Sequence, residues 1–148
     1  MTKEILKAKE ILNKTFCFME WQANDARARG ETLMKIDDIE YLLSLDGFEK
    51  GDVVSFASIN EESYDSSLLF ETIETAKNTG NQGVRIMCTI LTGPDSVRLR
   101  KSGYYIVDAG HGSVIWDEIY FSEEAYIKSQ IASFQNLFGG LKSIAQMI

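Results

Sequence analysis

Residues 84–121, VRIMCTILTGPDSVRLRKSGYYIVDAGHGSVIWDEIYF, decide the fold. The stretch divides at Thr92-Gly-Pro-Asp95, Lys101-Ser-Gly103 and Gly110-His-Gly112, residues that favour tight turns. Between those breaks lie four short runs rich in Val, Ile and Tyr: Val84–Leu91, Val97–Arg100, Tyr104–Ala109 and Val114–Phe121. Connections this short leave no room for helical crossovers, so the expectation is an antiparallel meander. Upstream, Val53–Ile59 reads as a further buried strand.

Helical patterns flank the strands. At the N-terminal end, Ile5, Ala8, Leu12, Phe16, Met19, Ala23 and Ala26 recur at gaps of three and four, one face of a single helix that ends near Gly30. Residues Ile39–Leu45 fit a shorter helix capped by Asp37 or Asp38. They also fit a strand, which would pair with the next one through Asp46–Lys50. Asp65 is placed to cap a helix burying Leu69, Ile73 and Ala76. The last helix starts at Ser122 with Glu123 and Glu124 in its first turn, where the helix field favours acids. Its apolar positions Ile127, Ile131, Phe134, Phe138, Leu141, Ala145 and Ile148 hold register across Gly139-Gly140. A glycine pair there costs about 2 kcal/mol of helix stability, so it marks either a break or a close neighbour.

The expected fold is therefore α+β: a mostly antiparallel sheet of four to five strands covered by long N- and C-terminal helices. Residues 1–148 should make a single domain, with 1–46 a helical portion packed on the sheet core or extending from it. Two terminal helices of about 25 residues, each roughly 38 Å long, would overhang so small a sheet, which leads to the expectation of a homodimer.

With 45% hydrophobic and 25% charged residues the chain has ordinary globular composition. No run of 18 apolar residues suggests a membrane span, and the N-terminus enters a helical pattern directly. Cys17 and Cys88 sit among apolar neighbours and read as reduced, buried thiols, which fits a cytoplasmic setting. Net charge is −7, and it is uneven: residues 35–77 carry eleven acids against three bases. Such a field repels nucleic acid and favours a basic protein partner. Asp37, Asp38, Glu61 and Glu62 are the acidic pairs that would meet one.

Catalytic signatures are sparse. One histidine and two distant cysteines do not assemble a zinc site, and Walker, dinucleotide and nucleophile-elbow motifs are missing. No metal or cofactor is expected. His111, between Gly110 and Gly112, is a possible ligand contact rather than a base with an evident nucleophile. On a strand, Arg98 and Arg100 would leave the same face, with Arg85 beside them. Tyr104, Trp116 and Tyr120 fall on adjacent strands. Trp116, in parity with Val114, Glu118 and Tyr120, reads as core or, on the open face beside Arg98 and Arg100, as an aromatic that would clamp an anion or anchor a protein partner. The leading expectation is a non-enzymatic interaction protein of inhibitor, immunity, chaperone or adaptor type. The alternative is a module that binds a small anionic or nucleotide-like ligand through Arg98, Arg100 and a neighbouring aromatic.

Overall fold

A computed structural model describes residues 1–17, 19–46, 53–110, 113 and 115–138, with the side chains of Leu137 and Phe138 excepted. The chain forms two compact units, Glu49–Tyr126, and Met1–Phe48 with Ile127–Ile148.

In the Glu49–Tyr126 unit the order is β1 (Ser55–Asn60), α4 (Ser66–Asn78), β2 (Gly83–Met87), α5 (Pro94–Lys101), β3 (Tyr105–Asp108) and β4 (Asp117–Tyr120). Helices α1 (Lys3–Leu12), α2 (Glu20–Ala28) and α3 (Ile36–Ser44) belong to the other unit. The sheet is four-stranded, ordered β1-β2-β4-β3, with β1 parallel to β2 and β4 antiparallel to both β2 and β3. It is a mixed sheet, not the mostly antiparallel meander expected, and no fifth strand occurs among the described residues.

The parallel pair comes from the α4 crossover between β1 and β2, and the meander fails at residues 94–101, a helix that takes in Val97–Arg100, expected as a strand. Gly93 is extended, and Pro94 supplies a helical φ where its missing N–H is not needed. The Ser96 hydroxyl donates to the Gly93 carbonyl at 2.6 Å. Gly103 closes the end at φ +87°, a conformation that other residues adopt at a cost. Val97 and Leu99 alternate as in a strand, but Val97 is exposed and Leu99 buried beside Ser96, one helical turn away. This helical crossover lets β3 run the same way as β2, one strand position removed, and β4 enters the gap between them.

One sheet face carries Ile59, Val84, Ile86 and Ile119, covered by Leu69, Ile73 and Ala76 of α4 and Leu99 of α5. Asp65 caps α4 as expected, accepting from the Leu68 N–H at 2.8 Å. The central pair is tight: a Cβ at Gly83 would lie 2.5 Å from the Ile119 carbonyl oxygen. A second cluster gathers Val53, Tyr120 and Ala125 with Tyr105, Val107 and Tyr126.

In the other unit, the single N-terminal helix is replaced by α1 (Lys3–Leu12) and α2 (Glu20–Ala28). Thr15 stands between them, held in an isolated parallel bridge to Leu33: its N–H reaches the Thr32 carbonyl at 2.8 Å, and its carbonyl accepts from Met34 at 3.0 Å. The three-four spacing through Phe16 and Met19 thus continues across a non-helical turn. Residues 39–44 lie within α3 (Ile36–Ser44), which settles the helix-or-strand alternative in favour of helix. Asp38, not Asp37, serves its start, accepting from the Lys35 N–H at 3.1 Å and the Lys14 ammonium at 2.8 Å. Burial opposes that charge, but Lys14 and the Lys35 amide outweigh it and hold the Asp38 carboxyl below its ordinary pKa.

Helix α6 (Glu123–Phe138) begins where Ser122 predicts, with the Ala125 N–H donating to the Ser122 hydroxyl at 3.1 Å. Ile127, Ile131 and Phe134 are buried, and the Gln135 amide donates to the Leu42 and Leu45 carbonyls at 3.1 and 2.6 Å, satisfying the end of α3. Gly139-Gly140 and the stripe through Ile148 lie outside the described residues.

Candidate functional site

A row of side chains crosses three strands on the face opposite α4 and α5. Phe56 is the Cα partner of Arg85, and Arg85 of Glu118, so all three share one side of the pleat. The Arg85 guanidinium carbon lies 4.1 Å from the Phe56 ring centre and 5.1 Å from that of Trp116. Arg85 Nη2 stands 3.4 Å from Glu118 Oε1, and Glu118 Oε2 accepts from the Tyr120 hydroxyl at 2.5 Å. The Arg85 and Glu118 side chains are 14% and 2% exposed. A charge pair so desolvated needs further contacts to persist; here Glu118 also accepts from Tyr120 and Arg85 stacks on two rings. Arg85 Nε and Trp116 Nε1 are nevertheless buried with no acceptor.

Phe56 itself is 70% exposed, and Met87, two residues beyond Arg85 on the same strand, is 40% exposed. Among the described residues strand β1 is a sheet edge, and its sequence SFASIN contains neither charge nor proline. A cavity of about 380 Å³ borders that edge, with Ser55 and Phe56 on one side and Leu68, Glu71, Thr72 and Thr75 of α4 on the other.

Asp117 starts β4 and is fully buried. One oxygen accepts from the Ile90 N–H at 2.7 Å; the other has no partner. Burial lifts this carboxyl above its ordinary pKa, Asp108 adds to the rise, and the backbone of Ile90 and Leu91 with Arg100 offset part of it. Cys88 is pushed up by burial and then by Asp117 and Glu61, the opposite of a reactive thiol. Both cysteines are free, Cys88 buried and Cys17 half-buried.

The arginines named from sequence do not form one patch. Arg98 and Arg100 lie on α5, where residues two apart diverge, so their expected shared strand face is lost. Arg98 stacks at 3.8 Å on the Phe70 ring, and Arg100 Nη1 donates to the Leu91 carbonyl at 3.3 Å. Tyr104 accepts from Lys77 Nζ at 2.6 Å. Of the expected contacts only Arg85 and Trp116 meet; His111 lies outside the described residues. Asp37 is exposed, Asp38 is engaged by Lys14, and Glu61 and Glu62 are exposed in the turn after β1.

Sequence reasoning missed Phe56; it placed Glu118 and Tyr120 on the same side of their strand as Trp116 but did not foresee the Glu118 pairing with Arg85. The signal for Phe56 was its parity with Ser58 and Asn60, opposite to the buried side of Ala57 and Ile59. Among the described residues, no group of His, Cys, Asp or Glu is arranged to hold a metal ion, and no helix is long and apolar enough to cross a membrane. No family model, curated protein or solved structure matches this chain.

Proposed function

We propose that this chain is a non-enzymatic interaction protein that holds another protein at the β1 edge of its sheet. The observation that carries the reading is Phe56, 70% exposed on an uncharged edge strand with its ring stacked on Arg85. Aromatic, methionine and arginine side chains on one face are the composition of protein-binding hot spots. A ring already restrained by a guanidinium loses little further freedom when a partner covers it. The Glu49–Tyr126 unit carries thirteen acids and six bases while the other unit carries nine of each, so the whole excess of −7 supports a basic partner there. Two free thiols support a reducing, cytoplasmic setting.

The test is capture from native cells on the immobilised full chain, quantified by mass spectrometry for wild type and Phe56→Ala. A basic protein enriched by wild type should fall tenfold or more with the variant, whose melting temperature stays within about 2 °C. Equal capture by both overturns the reading.

The buried, unpartnered donors of Arg85 and Trp116 favour a second reading, a small anionic ligand at the same cluster. It requires an upward thermal shift with inorganic phosphate or a nucleotide that Arg85→Lys abolishes. The homodimer loses the overhang expected of an N-terminal helix, since α1 and α2 have only ten and nine residues. Light scattering returning 16.7 kDa would dismiss it.

A further inference from the structure

We infer that the partner enters as an added strand: a basic, extended segment of another protein pairs with the open edge of β1 and lies in the cavity between β1 and α4. This rests on reading the β1 edge as a protein-binding site, and specifies what occupies it and how.

β1 pairs with β2 alone; among the described residues no strand lies on its other side. Sheet edges usually carry lysine, proline or an inward charge that discourages a further strand, and SFASIN has none of these. The register slips between Phe56 and Asn60, which bends the later part of the strand away from regular pairing. The cavity lies beside the regular part, since Ser55 and Phe56 line it and the residues after Phe56 do not. An extended chain advances about 3.3 Å per residue, the same rise as β1 itself, so it can follow that edge residue by residue. Main-chain bonds to β1 then supply affinity, and alternate side chains point towards Phe56 or towards α4.

The charge identifies the occupant. Glu71 lines the cavity, Glu61 and Glu62 stand exposed at the end of β1, and none of the three forms an ion pair among the described residues. The one cation of the row, Arg85, is already paired with Glu118. A second copy of this chain would present the same acidic edge and be repelled, as would nucleic acid. A lysine or arginine on an extended partner segment meets Glu71 without a competing cation.

The experiment uses a random library of fluorescent, end-capped hexapeptides and the full chain, read by anisotropy. Selected peptides should share a lysine or arginine at one position, and Glu71→Lys should weaken the best of them tenfold or more. N-methylation of alternate residues should abolish binding in one register and spare it in the other, because a strand presents every second N–H to its neighbour. Indifference to N-methylation in both registers overturns strand addition. So does the absence of any peptide binding tighter than about 1 mM, a standard free energy of only about −4 kcal/mol, while capture of the intact partner still depends on Phe56. In that case the β1 edge remains a protein-binding site and the partner docks as a folded surface. A doubled mass that Phe56→Ala returns to 16.7 kDa overturns the proposed occupant in favour of a second copy. Capture indifferent to Phe56, with no peptide bound, removes both readings.

Discussion

The two edges of the sheet border cavities of nearly equal size, about 380 Å³ beside β1 and 350 Å³ beside β3. At β3 the polar groups are already engaged. The Tyr104 hydroxyl takes a hydrogen bond from Lys77, the Tyr105 hydroxyl donates to Glu123 at 3.0 Å, and the rings of Tyr105 and Tyr126 stack 4.8 Å apart. Arg100 lines that cavity while its guanidinium reaches the Leu91 carbonyl. At β1 the Phe56 ring faces solvent and Glu71 has no ion-pair partner among the described residues. Volume alone does not distinguish the edges. The difference is whether the surrounding groups have completed their own contacts, which is the ground for proposing β1 rather than β3 as the binding edge.

The largest expected effect tests whether the cation on β2, beside the open edge, is held internally. Arg85→Ala leaves Glu118 buried with one partner fewer and should cost about 3 kcal/mol, roughly 10 °C in melting temperature. A loss within about 2 °C would mean the ion pair is not structural and Arg85 is free for a ligand. Tyr105→Phe, at the closed edge, removes the hydrogen bond to Glu123 and should cost about 1 kcal/mol in urea unfolding. No change in the unfolding midpoint would erase the contrast between the edges.

Smaller, and opposite in sign, is Asp117→Asn on β4, an interior strand between the two edges. Because burial raises the Asp117 pKa in the folded state, its proton is favoured by folding. That stabilising contribution is complete below the unfolded pKa of about 3.9 and is lost as pH rises through the folded value. The asparagine variant should therefore melt above wild type at pH 7, with the gap closing towards pH 4. A gap that did not change with pH would contradict the buried charge. The smallest effect on stability belongs to Phe56→Ala, below about 0.5 kcal/mol, since the ring is mostly exposed. A cost several times larger would show that Phe56 completes the core and would remove the distinction drawn from it.

Much of the local structure was legible in residue order. Asp65 and Ser122 were readable as helix caps because a side-chain oxygen can reach an amide two or three residues ahead without any tertiary help. Helix α3 was legible in part, though Ile39–Leu45 also suited a strand. Val97–Arg100 misled because four residues with two apolar positions cannot separate a period of two from one of 3.6. The decisive features were Pro94 after Gly93 and the burial of Leu99 under the sheet. The N-terminal pattern misled in the other direction: its spacing persisted while Thr15 left the helix to pair with Leu33. At the candidate site, Arg85 and Trp116 were recognisable as residue types suited to recognition, but Arg98 and Arg100 were grouped with them on a strand that does not exist.

The order of residues by itself determined the mixed α and β character, the capping of α4 and α6, and the amount of acidic excess, because these depend on neighbours within a turn or on composition alone. Only the tertiary structure decided that β4 enters between β2 and β3, and that Phe56, Arg85, Trp116 and Glu118 meet on one face. Strand order depends on which distant segments bury each other's apolar sides and satisfy each other's backbone groups, and no local pattern encodes that choice.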